Sequence, residues 1–128
     1  MEFKIQSGIE NQMEITVGQK DTANSYGSGL IDVFATPAMI ALMENTAQSS
    51  LKQLLPQGYI SLGLEINVKH LKATPLGMKV KCESKLVQVD GKKLLFELNA
   101  WDEKGLIGTG IHTRYIVHAE EFMKKIME

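Results

Sequence analysis

Two titratable side chains occupy apolar surroundings in this sequence, and together they could carry out acid–base chemistry. Glu44 directly follows the apolar run 38–43, where a carboxylate buried without a partner would be costly. His70 ends a segment that alternates apolar and polar residues, and a neutral imidazole is a suitable general base near pH 7. Each residue alone has an ordinary explanation, Glu44 facing solvent or His70 packed in a core. The pair therefore predicts a site.

Thr36 is a third candidate, at the start of the segment that contains Glu44. With Pro37 after it, Thr36 is expected to supply the N-cap oxygen of a helix, but a hydroxyl there also lies where the helix N-terminus stabilises an oxyanion. Within one helix, Thr36 and Glu44 differ by a rise of about 12 Å and a rotation of about 80°. Either His70 bridges them or a second subunit contributes one member, and a shared interface site is the simpler solution.

Other residues have two interpretations. Gly63 marks a bulge or a crowded position, or it allows a ligand to approach its backbone N–H. Arg114 is a solvated sheet residue, or it binds a phosphate beside a cleft. Cys82, the single cysteine, is expected to be a buried structural thiol. His112 and His118 are expected at the surface.

The hydrophobic pattern predicts the elements that would position these residues. Glycines and polar residues indicate a long loop over 19–35, and a helix is expected from 36 to about 55, before Pro56. From Ile60 to His70 the strand is expected to place its five alternating aliphatic residues on one face, with His70 beside Val68. Further strands are predicted over 13–18, 77–90, 92–102 and 106–117, with a hairpin at Asp90-Gly91 and a short helix over 119–127. The last four strands are expected to form a meander, and one antiparallel sheet around a single long helix, an α+β fold, satisfies this order.

Length and composition limit the class of protein. The 128 residues favour one domain, 1–128, and the net charge of −1 offers no basic block for nucleic acid or an anionic membrane. No apolar stretch reaches the length of a membrane span, and the N-terminus lacks the layout of a signal peptide. One cysteine and scattered histidines argue against a zinc site, and we expect no metal or other cofactor. These features predict a cytoplasmic protein.

Three segments resemble motifs of one known family, the hotdog-fold thioesterases of the fluoroacetyl-CoA thioesterase-like group. Residues 33–47 (VFATPAMIALMENTA) are similar to its central-helix motif. Residues 61–70 (SLGLEINVKH), followed by 73–77 (ATPLG), are similar to its second motif, and 108–114 (GTGIHTR) to its last-strand motif. The order and spacing of the three match the family over most of residues 33–117.

The resemblance implies a hotdog fold and a homodimeric acyl-CoA hydrolase, with pairing of dimers into tetramers left open. It implies that Thr36, Glu44 and His70 are the catalytic group, Gly63 the backbone that contacts substrate and Arg114 a coenzyme A contact. The fluoroacetyl-specific enzyme has a phenylalanine-rich loop before the helix. Here residues 24–34 offer only Tyr26 and Phe34, the latter taken as a substrate contact. The chain is therefore expected to hydrolyse short or medium acyl-CoA thioesters more generally.

Two other functions stay open. A hydratase or dehydratase of the same fold is a weaker alternative, because in those enzymes the histidine precedes the helix carboxylate, whereas His70 follows Glu44. A non-catalytic acyl-CoA-binding or regulatory module would keep the pocket and lose turnover. Release of free thiol distinguishes the hydrolase from that module.

Overall fold

A five-stranded antiparallel sheet wraps around one helix in the computed structural model, which describes residues 3–128. The spatial order of the strands is β1-β3-β4-β5-β2, so β1 and β2 form the two edges. The strands are β1 (Glu10–Thr16), β2 (Tyr59–His70), β3 (Lys79–Asp90), β4 (Lys93–Asp102) and β5 (Gly105–His118). The helices are α1 (Ala23–Tyr26), α2 (Thr36–Ser49) and α3 (Ala119–Ile126), with a 3-10 turn at Gln19–Asp21.

The helix α2 lies against the inner face of the sheet and contacts all five strands. Met39 and Met43 are fully buried there. Two glycines of β5 make this close approach possible: a Cβ at Gly108 would overlap the side chain of Met39, and a Cβ at Gly110 would lie 3.3 Å from the sulfur of Met43. Gly108 pairs with His70 on β2. The close approach of α2 at these two glycines therefore brings the start of the helix next to His70.

The predicted element order and the hairpin are confirmed. The predicted meander of the last four strands is wrong for β2, which pairs with β5 at an edge and not with β3. The predicted end of α2 is also wrong. The helix ends at Ser49, and residues 50–55 form turns. Ser50 donates its hydroxyl proton to the carbonyl of Ala47 at 2.6 Å, and the next backbone N–H groups bond three residues back. Such side-chain competition weakens a helix end ahead of any proline. The loop over 19–35 also holds the 3-10 turn and α1.

The predicted single apolar face of β2 is wrong in its first half. The pairing of β2 with β5 shifts between Gly63 and Glu65, so Leu64 is an extra residue in a β-bulge. Before the bulge Ser61 faces the core and Ile60 is exposed, and the bulge residue Leu64 is exposed as well. After it the inward side is taken by Ile66, Val68 and His70, which are half-buried. His70 and Val68 share a face as predicted.

Candidate functional site

Thr36 and His70 form a hydrogen-bonded pair at the start of α2. Thr36 Oγ1 lies 2.8 Å from His70 Nδ1. The N-cap of α2 is Ala35, which has no side chain to cap with, and Thr36 is the first helical residue. The predicted N-cap role of Thr36 is therefore wrong, because its hydroxyl bonds to the imidazole. When His70 carries its proton on Nε2, the Thr36 hydroxyl donates to Nδ1, the arrangement that a base needs.

The surroundings of His70 favour its neutral form. Burial lowers the pKa of the ring below its usual value. Phe34, almost fully buried, packs edge-on against it with ring centroids 6.4 Å apart. His70 Nε2 is buried without a hydrogen-bond partner in the described chain. Phe34, Thr36 and His70 line an open cleft of 460 Å³ between the start of α2 and the end of β2.

Glu44 lies in a second polar group, on the middle of the inner face. Its Oε2 is 4.0 Å from Arg114 Nη1 and 4.0 Å from His112 Nε2. The carboxylate side chain is 42 % exposed, so the expectation of a desolvated charge is not met within one chain. The apolar run before Glu44 covers both sides of the helix: Met43 is buried, whereas Ala41 is exposed. An apolar run alone therefore does not bury the residue that follows it.

Arg114 and His112 are both buried beneath this carboxylate. Arg114 donates from Nε to Ser61 Oγ at 2.7 Å and from Nη2 to the Ser61 carbonyl at 2.8 Å. His112 is 1 % exposed, so its predicted surface position is wrong. A solvated position for Arg114 is also wrong, because the residue is 5 % exposed within one chain, and its predicted contact with coenzyme A stays a prediction. The two residues are two positions apart in β5 and therefore face the same, inward side, a signal that the sequence itself contains.

Gly63 leaves the space that Glu44 occupies. A Cβ at Gly63 would lie 2.9 Å from Glu44 Oε2 and 3.1 Å from His112 Cε1. Gly63 pairs with Arg114 across the sheet, just before the bulge at Leu64. Both sequence interpretations of this glycine, a bulge position and a close approach to its backbone, remain compatible with this geometry.

The three predicted catalytic residues form two groups in one chain. Along β2, Gly63 beside Glu44 and His70 beside Thr36 are separated by about 20 Å of extended strand. His70 makes one side-chain hydrogen bond among the described residues, to Thr36, and does not bridge to Glu44. This excludes a bridging His70 within the chain as described and leaves the second-subunit arrangement as the alternative.

The remaining single-residue expectations concern thiols, metals and membranes. Cys82 is a buried free thiol, as predicted, and burial raises its pKa to about 11. Across residues 3–128 no cluster of three or more metal-ligating side chains occurs. Within the same range, every helix is too short or too polar to cross a membrane. His118 is half-buried and accepts a bond from the Glu121 N–H at the start of α3.

An antiparallel sheet wrapped around one long helix is the architecture of the hotdog-fold thioesterase-like proteins. The family model described as fluoroacetyl-CoA-specific thioesterase matches residues 17–120. This chain belongs to that family. The resemblance of the three sequence motifs and the predicted fold are thereby confirmed.

Individual relatives agree with this assignment. The chain is 37 % identical over 97 residues to the fluoroacetyl-CoA thioesterase of Streptantibioticus cattleyicolor, over 76 % of this chain and 70 % of that protein. A solved structure of the fluoroacetyl-CoA thioesterase superposes with a TM-score of 0.90 at 31 % identity, covering 96 % of each chain. A variant of it in complex with acetyl-CoA gives 0.91 at 30 %, covering 96 % of this chain and 97 % of that one. A hot-dog-like protein from Thermanaerovibrio acidaminovorans gives 0.88 at 25 %, covering 96 % and 91 %.

Proposed function

We propose that this protein hydrolyses short or medium acyl-CoA thioesters to the free acid and coenzyme A. The observation that carries the proposal is the 2.8 Å contact between Thr36 Oγ1 and His70 Nδ1 at the N-terminus of a buried helix. Family membership and the acetyl-CoA complex of a relative support the substrate class. Water adds to the carbonyl carbon, the C–S bond breaks, and the thiol of coenzyme A leaves.

The proposed roles follow from the state of each group. His70, kept neutral by burial, accepts the proton of the attacking oxygen, which is either the Thr36 hydroxyl or a water molecule beside it. The first backbone N–H groups of α2 have no partner within the helix and can donate to the developing oxyanion. Glu44 is proposed to orient water or the acyl intermediate. Gly63 is proposed to offer backbone beside the acyl group.

The acyl preference is proposed to be broader than fluoroacetyl. Phe34 is buried against His70 and forms a wall of the cleft, so it contributes to acyl binding from behind the imidazole. The loop before it extends Leu30 and Ile31 into solvent, with Leu30 93 % exposed. These two side chains do not line the cleft, so the loop lacks the rigid aromatic enclosure that a set of phenylalanine rings would provide, which favours a range of short chains.

A homodimer is proposed to complete the site through the free edge of β2. This strand is 12 residues long. Up to the bulge it exposes the apolar residues Ile60 and Leu64 and carries no charge, so this half of the edge lacks the charges that normally oppose pairing. Two-fold antiparallel pairing of the two edges would run the strands in opposite directions. The Thr36–His70 end of one chain would then approach the partner subunit's Glu44, which joins the two groups that one chain keeps apart.

The cellular location is proposed to be the cytoplasm. The support is chemical: the one thiol of the chain is buried, and burial disfavours its reactive thiolate. Such a protein needs no oxidising compartment to fold. Fractionation of the source cells with an antibody to this chain tests the location.

A free-thiol assay with purified protein and a series of acyl-CoA substrates tests the proposed activity. We expect thiol release with acetyl-CoA and with somewhat longer linear chains, and no exclusive preference for fluoroacetyl-CoA. Calorimetric binding of acyl-CoA without any thiol release would contradict hydrolysis and favour a binding module. Turnover of fluoroacetyl-CoA alone would contradict the broader specificity.

A further inference from the structure

A buried polar cluster on the inner face connects Glu44 with the bulge in β2. Its members are Ser61 and the Glu65 carbonyl on β2, His112 and Arg114 on β5, and Glu44 on α2. Buried polar groups are costly unless they are paired, and each side chain on the two strands makes at least one hydrogen bond of 3.0 Å or less. The pairing is therefore specific enough to define which atom donates at each contact.

Both neighbours of His112 require the same tautomer. His112 Nδ1 lies 2.7 Å from the Glu65 carbonyl oxygen, which can only accept, so Nδ1 carries the proton. His112 Nε2 lies 3.0 Å from Arg114 Nη1, and a guanidinium can only donate. In the neutral ring Nε2 accepts that bond. The ring is kept neutral by burial and by the charge of Arg114, which both lower its pKa against the opposing Glu65 hydrogen bond and the Glu44 charge.

Three hydrogen bonds then fix the plane of the Arg114 guanidinium. Ser61 accepts two of them, through its hydroxyl and its carbonyl, and His112 Nε2 accepts the third. With the plane fixed, Nη1 lies 4.0 Å from Glu44 Oε2. Because Gly63 has no side chain, the carboxylate can take this position.

We infer that His112 is a positioning residue, which orients Arg114 so that its guanidinium holds the Glu44 carboxylate in place for the reaction. The inference rests on the proposed function, since it assigns Glu44 a part in hydrolysis. His112 does not contact the substrate-facing pair, Thr36 and His70, in any described hydrogen bond. A different role for the same ring would be to hold the β2 bulge through the Glu65 carbonyl.

Two substitutions separate these roles, because each retains one of the two ring nitrogens. In His112→Gln the side-chain amide oxygen reaches the position of Nε2 and can accept from Arg114. In His112→Asn the side-chain amide nitrogen takes the position of Nδ1 and can donate to the Glu65 carbonyl, but no acceptor remains for Arg114. The matched control is His118→Asn, at a half-buried histidine outside the cluster.

The expected result is a separation in kcat. His112→Gln should stay within about threefold of the unchanged enzyme, and His112→Asn should lose about 10- to 100-fold, the range for a misplaced catalytic group. KM for acetyl-CoA should change less than kcat. Equal losses in both variants, or a larger loss in His112→Gln, would overturn the inference in favour of a structural role at the bulge. His118→Asn should retain full kcat.

A second measurement keeps the inference testable if either variant fails to fold. Long-range 1H–15N spectra of the unchanged protein at pH 7.5 should show His112 as the neutral Nδ1–H tautomer. An Nε2–H tautomer or a charged ring would overturn the inference, because neither can accept from Arg114. If the protein without substitutions released no thiol, that result would refute the proposed function instead. The tautomer of His112 would still test the geometry of the cluster.

Discussion

The Thr36 hydroxyl bonds to a residue of the site instead of capping its own helix. A serine or threonine N-cap contributes about 1 kcal/mol, yet α2 begins after Ala35, which has no side-chain cap. One position later, the Thr36 hydroxyl bonds to His70 instead. The sequence identified both residues by type but not their contact, because 34 positions separate them in the chain. That contact depends on β2 lying beside the start of α2.

Replacing His70 tests the proposed base directly. His70→Ala should lower kcat for acetyl-CoA hydrolysis by at least about 10²-fold, the low end of general-base contributions. The imidazole is half-buried, so a circular-dichroism melt must show that the variant still folds. His118→Ala is the matched control. Turnover that is unchanged in folded His70→Ala would remove His70 from the mechanism.

Gly63→Ala tests whether the Glu44 carboxylate must occupy its observed position. The added Cβ would lie 2.9 Å from Glu44 Oε2, so the flexible carboxylate must move. A displacement of about 1 Å at a reacting group can cost up to about 10²-fold in rate, and we expect kcat to fall by 10- to 100-fold. At Gly18 a new Cβ would meet its nearest neighbour at 3.4 Å, so Gly18→Ala should leave the rate unchanged. Equal rates in the two variants would contradict the assignment of Glu44.

At the scale of elements, β2 shows the limits of the sequence pattern. Strict alternation identifies the strand and correctly places His70, because side chains in a strand alternate between faces. Alternation cannot reveal one extra residue. Because of the bulge at Leu64, the residues of β2 before it face the opposite side of the sheet from the one that alternation predicts. The pattern also places the end of α2 too late. Proline is a strong stop signal, but the hydroxyl of Ser50 bonds to the Ala47 carbonyl and weakens the helix before Pro56 is reached.

A charge on the free edge of β2 tests the proposed dimer. Leu64 is 62 % exposed, and Leu64→Lys would place a charge in the apolar part of the edge, where a lysine opposes pairing with another strand. The dimer Kd measured by sedimentation equilibrium should rise by at least about 10²-fold, and kcat/KM should fall with the dimer fraction. Ile111→Lys is a control of similar exposure on β5, which is paired on both sides. A Leu64→Lys dimer of normal Kd would exclude this edge as the interface.

At the scale of the whole molecule, the sheet-and-helix fold follows from local signals, whereas the site does not. The Asp90-Gly91 hairpin and the alternating strands indicate which elements exist and that β3 pairs with β4, whereas no local pattern signals the pairing of β2 with β5. The Glu44 cluster depends instead on the register that sets Gly63 opposite Arg114, and on glycines that admit α2 to the sheet. Register across strands distant in sequence is not encoded in any one segment. The misplacement of His112 has a different cause, because the alternation of β5 alone places it inward with Arg114.

Both site histidines link folding stability to pH. Burial lowers the pKa of His70 and, with the charge of Arg114, that of His112. Between the folded pKa and the ordinary value near 6.5 the unfolded chain binds more protons, so the free energy of unfolding falls as the pH decreases through that interval. Each histidine can contribute a slope of at most about 1.4 kcal/mol per pH unit. Ordinary carboxylates titrate near pH 4 and add little above pH 5.5.

Urea denaturation at several pH values between 5.5 and 7.5 measures this linkage. We expect the unchanged protein to lose stability steadily below about pH 6.5, and His112→Gln to show a shallower slope because one of the two linked groups is gone. The comparison is made in slope, since the substitution also shifts stability uniformly at all pH values. Identical slopes in the two proteins would mean that His112 titrates equally in the folded and unfolded chains. That outcome would contradict its burial as a neutral ring between the Glu65 carbonyl and Arg114.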